Sequence, residues 1–208
     1  MDLPGLGLSG GTGVHDWDEW LPAVLGEGPV DLIGHSLGSA AAVVAADRFT
    51  DRVSSLTLVS PFFLQPPARP WARVRPLVRA FLRHSGAARL SHRLTGSEES
   101  ALALASSAAD LRHRTAGRAA EQLVRAGSPQ WRAELREALA RVAAPVRIIT
   151  GDDDPLAPEL VAALGARRDV ELVTVQGAGH HPQLTHGNAL VGLLGAGARE
   201  GHASPAVA

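Results

Sequence analysis

Short apolar, β-branched runs alternate along the chain with stretches whose apolar positions recur every three or four residues. That alternation predicts a parallel sheet joined by crossover helices. Four runs read as strands: Val30 to Gly34, Leu56 to Ser60, Val146 to Thr150 and Val170 to Val175. Ahead of the first, Trp17, Trp20, Leu21, Val24 and Leu25 fall at helical spacing and predict a helix with one apolar face. Between the first two strands, Ser39 to Phe49 is rich in Ala and Val and reads as a helix.

The pattern changes at Pro66. Pro66, Pro67 and Pro70 open a stretch in which Trp71, Val74, Leu77, Val78, Phe81 and Leu82 mark an amphipathic helix. Thr95 with Glu98 three residues on forms a capping-box pattern, and Ser128 before Pro129 reads as an N-cap with proline at the first helical position. An all-helical insertion between two strands of a sheet is how a lid is built. The expected organisation is a core of residues 1–65 and 144–194, a helical lid of residues 66–143, and a disordered tail of residues 195–208, where Gly, Ala and polar residues lack periodicity.

Composition narrows the options. At 208 residues with 45% hydrophobic and 20% charged side chains, the chain has the apolar content for one packed domain with an inserted cap, and wholesale disorder is excluded. No cysteine is present, which removes disulfides, thiolate-zinc sites and thiol nucleophiles together. A net charge of −1 argues against nucleic acid as a partner. Met1 to Gly10 lacks a basic, apolar leader, and the longest apolar run, Ala40 to Ala46, is too short to span a bilayer, so a cytoplasmic protein without a membrane partner is expected. All 20 basic residues are Arg, which we read as the codon usage of a GC-rich genome rather than as phosphate recognition. Those arginines are unevenly spread: the lid segment holds 14 against 6 acids, and the remainder 6 against 15.

The segment richest in chemistry is Gly34-His35-Ser36-Leu37-Gly38. A G-x-S-x-G that follows a predicted strand and opens a predicted helix meets the structural condition for a nucleophile elbow, a strained turn that lifts the serine hydroxyl out of the backbone. The glycines leave room where strand and helix pack closely, and the helix N-terminus favours negative charge developing nearby. A nucleophilic serine needs a base and an orienting acid, which this architecture supplies in the order Ser, acid, His. Asp152, Asp153 and Asp154 follow the third predicted strand, and Gly177-Ala178-Gly179-His180 follows the fourth. Both segments leave the carboxyl ends of parallel strands, where sites collect in open α/β sheets. His35 is adjacent to Ser36 and should point away from it as a packing or hydrogen-bonding residue. His181 and His186 lie near His180, while His84, His92 and His113 fall in the lid. The three aspartates lack a matching ligand set, so no metal is expected.

Taken together, Asp2-Leu3-Pro4-Gly5-Leu6-Gly7-Leu8-Ser9, Gly34 to Gly38, Gly151 to Pro158 and Gly177 to His180 resemble four successive landmarks of the α/β-hydrolase family. The resemblance implies an α/β-hydrolase fold with a parallel sheet and an inserted helical lid, and a serine hydrolase of carboxylic esters or thioesters. It implies Ser36 as nucleophile, His180 as general base and acid, and Asp154 rather than its two neighbours as the residue orienting the imidazole. It implies a small-molecule acyl substrate and no cofactor. Relatives with the same triad cleave carbon–carbon bonds or act as cofactor-free haloperoxidases.

The family's first strands have no counterpart ahead of Asp2, so the expected sheet is partial and the copy N-terminally incomplete. Of the two oxyanion donors, only the Leu37 backbone N–H is then expected, and one missing donor costs about 3 kcal/mol of transition-state stabilisation. Val30 to Gly34 would become an edge strand, open to self-association, and a non-catalytic interaction module is the alternative of a different class. Thr185 and Gly187 replace the acid and proline of many relatives without touching the triad.

Overall fold

Four β-rich runs separated by helices favour a parallel sheet, because each helix carries the chain back to the edge where the last strand began. The structure, a computed structural model, describes residues 3–4, 17–66, 74–77 and 116–200. Strands β1 (Val30–His35), β2 (Val53–Val59), β3 (Val146–Gly151) and β4 (Val170–Val175) form one sheet in the order β1-β2-β3-β4, all parallel. Helix α1 (Trp17–Leu25) precedes β1, and α2 (Gly38–Arg48) crosses from β1 to β2. Helices α3 (Ala116–Ala126) and α4 (Pro129–Arg141) lead into β3, α5 (Pro158–Gly165) connects β3 to β4, and α6 (Pro182–Thr185) and α7 (Gly187–Glu200) follow β4.

Alternation along the strands divides the core between the two faces of the sheet. Leu56, Leu58 and Ile148 join Trp17, Leu21, Leu25, Val43, Trp131, Leu135 and Leu139 in the larger cluster. Their immediate neighbours Val59 and Ile149 face the other way, packing with Val175, Ala178 and Leu190. On α1 the buried positions are Trp17, Leu21 and Leu25, four residues apart, whereas Val24 remains 46% exposed. The predicted N-cap of α4 is present, with Ser128 Oγ accepting from the Trp131 N–H at 3.4 Å and Pro129 at the first turn. Helix α4 lies against α2, fastened at one end by Arg141, which donates to both carboxylate oxygens of Asp47 at 2.9 and 2.7 Å.

Two elements differ most from expectation. β2 begins at Val53 rather than Leu56, because polar Ser54 and Ser55 interrupt the apolar run although the strand continues through them: the register shifts at Ser54, and Ser55 stands opposite Asp31, its hydroxyl donating to that carboxylate at 2.5 Å. It ends at Val59, since Ser60 turns to a φ of +45°. Helix α7 continues through Glu200, so residues 195–200 of the segment expected to be disordered are helical. Leu190, Leu193 and Leu194 anchor that helix on the sheet, and helix once nucleated propagates through small residues. The Thr95–Glu98 capping box lies outside the described residues, and of the predicted helix from Trp71 to Leu82 only Val74 to Leu77 are described, with Arg75 to Leu77 helical.

Among the described strands β1 borders the sheet. Among the described residues it pairs only with β2, and Ile33 on it is 56% exposed, as expected for an edge.

Gly151 ends β3 where no side chain fits: a Cβ there would lie 2.1 Å from the Ala178 carbonyl oxygen and 2.7 Å from that of Gly179. Gly151→Ala should therefore destabilise the chain by more than about 3 kcal/mol in urea unfolding, since backbone cannot yield as a side chain can. Gly192, exposed within α7 with open space around it, is the control: Gly192→Ala should gain up to about 1 kcal/mol.

Candidate active site

All four strands end at one edge of the sheet, and each hands its following loop to the same place. β1 delivers Ser36. Its backbone sits at a φ of +50°, a region costly for a residue with a side chain. The turn is held by the Ser36 N–H donating to Val59 O at 3.0 Å and by Ser39, whose N–H donates to the Ser36 carbonyl at 3.1 Å and whose hydroxyl donates to it as well. Gly34 makes the tight turn possible, because a Cβ there would stand 2.8 Å from Ala42 Cβ and from Ser39 Cα. Leu37 follows Ser36 at the head of α2.

β3 delivers the acid. The Asp152 N–H donates to Val175 O at 3.3 Å and that of Asp153 to Ala178 O at 3.1 Å, which ties this loop to the one after β4. Thr150 Oγ1 donates to the Asp154 carbonyl at 2.5 Å. Asp152 and Asp153 are exposed, and Asp154 is half-buried facing His180.

The structure brings three of the predicted residues into one relay. His180 Nδ1 donates to Asp154 Oδ2 at 2.8 Å, and His180 Nε2 accepts from Ser36 Oγ at 2.8 Å. The carboxylate fixes the proton on Nδ1, which leaves the Nε2 lone pair facing the hydroxyl. His186 stands apart, its Nδ1 2.8 Å from Thr185 Oγ1. His84, His92 and His113 lie outside the described residues, as does most of the segment from Asp2 to Ser9.

Sequence reasoning missed Gln65. It follows the short 3-10 turn Phe62–Leu64 after β2, and its side-chain amide donates to Asp154 Oδ2, the same oxygen that His180 uses. Two donors on one oxygen hold the carboxylate against rotation. The Gln65 loop is itself held by α4: buried Arg132 donates to the carbonyls of Phe62 at 2.5 Å, of Pro66 at 3.3 Å and of Gln65, and Arg136 donates to that of Phe63 at 3.0 Å. The one sequence signal for this clamp is the pair of arginines one turn apart on a helix with an apolar face.

His35 behaves as a hydrogen-bonding residue, its Nε2 donating to the His180 carbonyl at 2.8 Å. Its ring packs 5.3 Å from that of His180 and 4.8 Å from that of His181. Burial, and the positive charge its histidine neighbours would carry, push His181 down to about 3; burial above all pushes His35 down to about 4. These three histidines form the one group of potential metal ligands among the described residues; the three-aspartate run does not form one. No described helix is long and apolar enough to cross a membrane.

The fold and this edge define a hydrolase-type α/β protein, and comparison with known proteins agrees. The model of the Alpha/beta hydrolase family matches residues 1–193, and the chain belongs to that family. Among solved structures it is similar to a serine hydrolase from the polyaromatic hydrocarbon-degrading bacterium Cycloclasticus zankles, at 15% identity and a TM-score of 0.72, covering 98% of this chain and 79% of that one. It is also similar to a thermophilic esterase from Thermogutta terrifontis, at 22% identity and a TM-score of 0.64, covering 97% of this chain and 79% of that one. An enol-lactonase from Burkholderia xenovorans LB400 aligns at 18% identity and a TM-score of 0.68, covering 94% of this chain and 78% of that one. Likeness at these identities is one of fold. No protein of curated function matches the sequence.

Because His35 and His181 titrate near 4 and 3 when folded and near 6.5 when unfolded, the unfolded chain binds more protons below pH 6.5. Stability contributed by their neutral forms is full above that pH and is lost as pH falls toward 4 and then 3. Urea midpoints measured in EDTA from pH 7.5 to pH 4 should therefore fall on acidification, and a His35→Gln/His181→Gln double variant should flatten the dependence.

Proposed function

We propose that the chain is a serine hydrolase of carboxylic esters or thioesters, with a small-molecule acyl substrate and the triad Ser36, His180 and Asp154. What supports this reading above all is the unbroken relay, with both of its hydrogen bonds at 2.8 Å. Ser36 Oγ attacks the substrate carbonyl carbon as His180 Nε2 takes its proton. The oxyanion forms at the head of α2, where the Leu37 N–H and the helix dipole stabilise it. Asp154 balances the imidazolium, and Gln65 keeps the carboxylate turned toward it. The proton then passes from Nε2 to the leaving alcohol or thiol, and the bond to it breaks. Water, deprotonated by the same nitrogen, releases the acid and restores Ser36. These steps use no cofactor. The helical segment of residues 66–143 is read as the cap over this edge, with α4 as the part docked on the core.

A second reading rests on the β1 edge, whose exposed Ile33 and one-sided pairing suit association of two copies. A fluorophosphonate probe separates the two. Labelling at Ser36 favours the hydrolase, whereas no labelling together with concentration-dependent elution in size-exclusion chromatography favours the interaction module.

On a p-nitrophenyl ester, Ser36→Ala and His180→Ala should each lower kcat by at least about 10³-fold, because members of a relay fail together. His181→Ala, outside the relay, should lose less than about tenfold. Folding of the serine variant should be unchanged by circular dichroism, and the reverse ranking of the two histidines would move the base to His181.

A further inference from the structure

We propose that His35, His180 and His181 form a binding site for a divalent zinc-type cation, and that the bound ion switches the relay off by engaging His180. One ring nitrogen from each of the three half-buried side chains lies within 4.8 Å of the other two. A tetrahedral zinc ion with bonds of about 2.0–2.1 Å sets its nitrogen ligands about 3.3 Å apart, so the rings close by at most about 1.5 Å, within reach of side-chain rotation.

The hydrogen bonds already orient the ligands. His35 Nε2 faces the His180 carbonyl at 2.8 Å. A carbonyl oxygen only accepts, so that nitrogen carries the proton and Nδ1 presents its lone pair. A ring N–H held by a backbone carbonyl is the arrangement that orients metal-bound imidazoles. The lone pairs of His35 Nδ1 and His181 Nδ1 both face the side-chain amide nitrogen of Gln183, at 3.5 and 3.2 Å. Two acceptors thus converge on the positive end of one amide, at a point a cation can share. Gln183 is exposed and can swing clear. Three imidazoles with a fourth position open to water or to the Ser36 hydroxyl suit zinc, copper or nickel far better than calcium or magnesium. Asp154, hydrogen-bonded to His180 Nδ1, adds a carboxylate behind the third ligand.

The consequence does not depend on which His180 nitrogen is used. Nε2 is the acceptor for Ser36 Oγ and Nδ1 the donor to Asp154, so coordination through either breaks one bond of the relay. Binding stands on the histidine geometry alone; the switching-off rests on the hydrolase reading above.

Two measurements separate these halves. Calorimetric titration of ZnCl2 into Ser36→Ala, which keeps all three imidazoles and cannot turn over, should show one ion per chain. Adding His181→Ala or His35→Gln should weaken it at least tenfold, with folding checked by circular dichroism, and His186→Ala should leave it unchanged. In the wild-type chain, ZnCl2 should inhibit p-nitrophenyl acetate hydrolysis and EDTA should restore it. The inhibition constant, read against each variant's own metal-free rate, should rise at least tenfold in His181→Ala. No zinc binding, or binding unmoved by both histidine variants, overturns the site. Histidine-dependent binding without inhibition overturns the switch. Histidine-dependent binding to a chain that hydrolyses no ester supports the site and removes the hydrolase reading instead.

Discussion

The relay depends on a backbone contact that involves no catalytic atom. The loop carrying Asp154 and the loop carrying His180 touch at Gly151, where the Ala178 and Gly179 carbonyls approach so closely that even a methyl group is excluded. The Asp153 N–H bonded to the Ala178 carbonyl locks the two loops in that approach. Everything polar at this edge is arranged on top of that contact. The 2.8 Å bond between Asp154 and His180 follows from loop placement and leaves little for the side chains to search. Parallel register does the rest, because β1 pairs with β2 through His35 and Val59 and so brings Ser36 level with the other two loops.

The fold was legible in the sequence wherever one kind of residue filled one kind of place. β3 and β4 read to within a residue because apolar side chains of each reach both clusters of the core, and the Ser128–Pro129 start of α4 read correctly because capping is local chemistry. The start of β2 was read three residues late, since Val53 and Ser55 pair with β1 on either side of a register shift at polar Ser54, which hydropathy does not register. The serine of the site was legible from spacing alone, whereas the choice of Asp154 among three adjacent aspartates came from family resemblance. Gln65 was not legible. Its partner lies 89 residues away, and only the closed sheet brings them together. The histidine cluster has the same origin, because His35 ends the first strand and His181 follows the last one.

Three imidazoles packed ring to ring carry an electrostatic constraint of their own. His35 and His181 can sit beside His180 only while both are neutral, which burial enforces. Were either one charged, it would oppose the imidazolium that a serine nucleophile leaves on its base. The neutral pair gives His180 a polarisable, uncharged wall, and His35 fixes the His180 backbone through its carbonyl. In the proposed reaction, the positive charge on His180 would thereby be answered by one group, the Asp154 carboxylate.

On the proposed reading of residues 66–143 as a cap, the arginine clamp of α4 would give that cap a mechanical role. Arg132 and Arg136 reach from the helix to the carbonyls of Phe62, Phe63, Gln65 and Pro66, and Gln65 passes that hold on to Asp154. Helix and carboxylate are therefore two ends of one lever. A cap transplanted from a relative, however well its pocket suited a new substrate, would leave the acid unsupported unless it also brought two arginines one turn apart. On that reading the segment that would shape specificity and the carboxylate that would tune reactivity share a strut, and they could not be exchanged as independent modules.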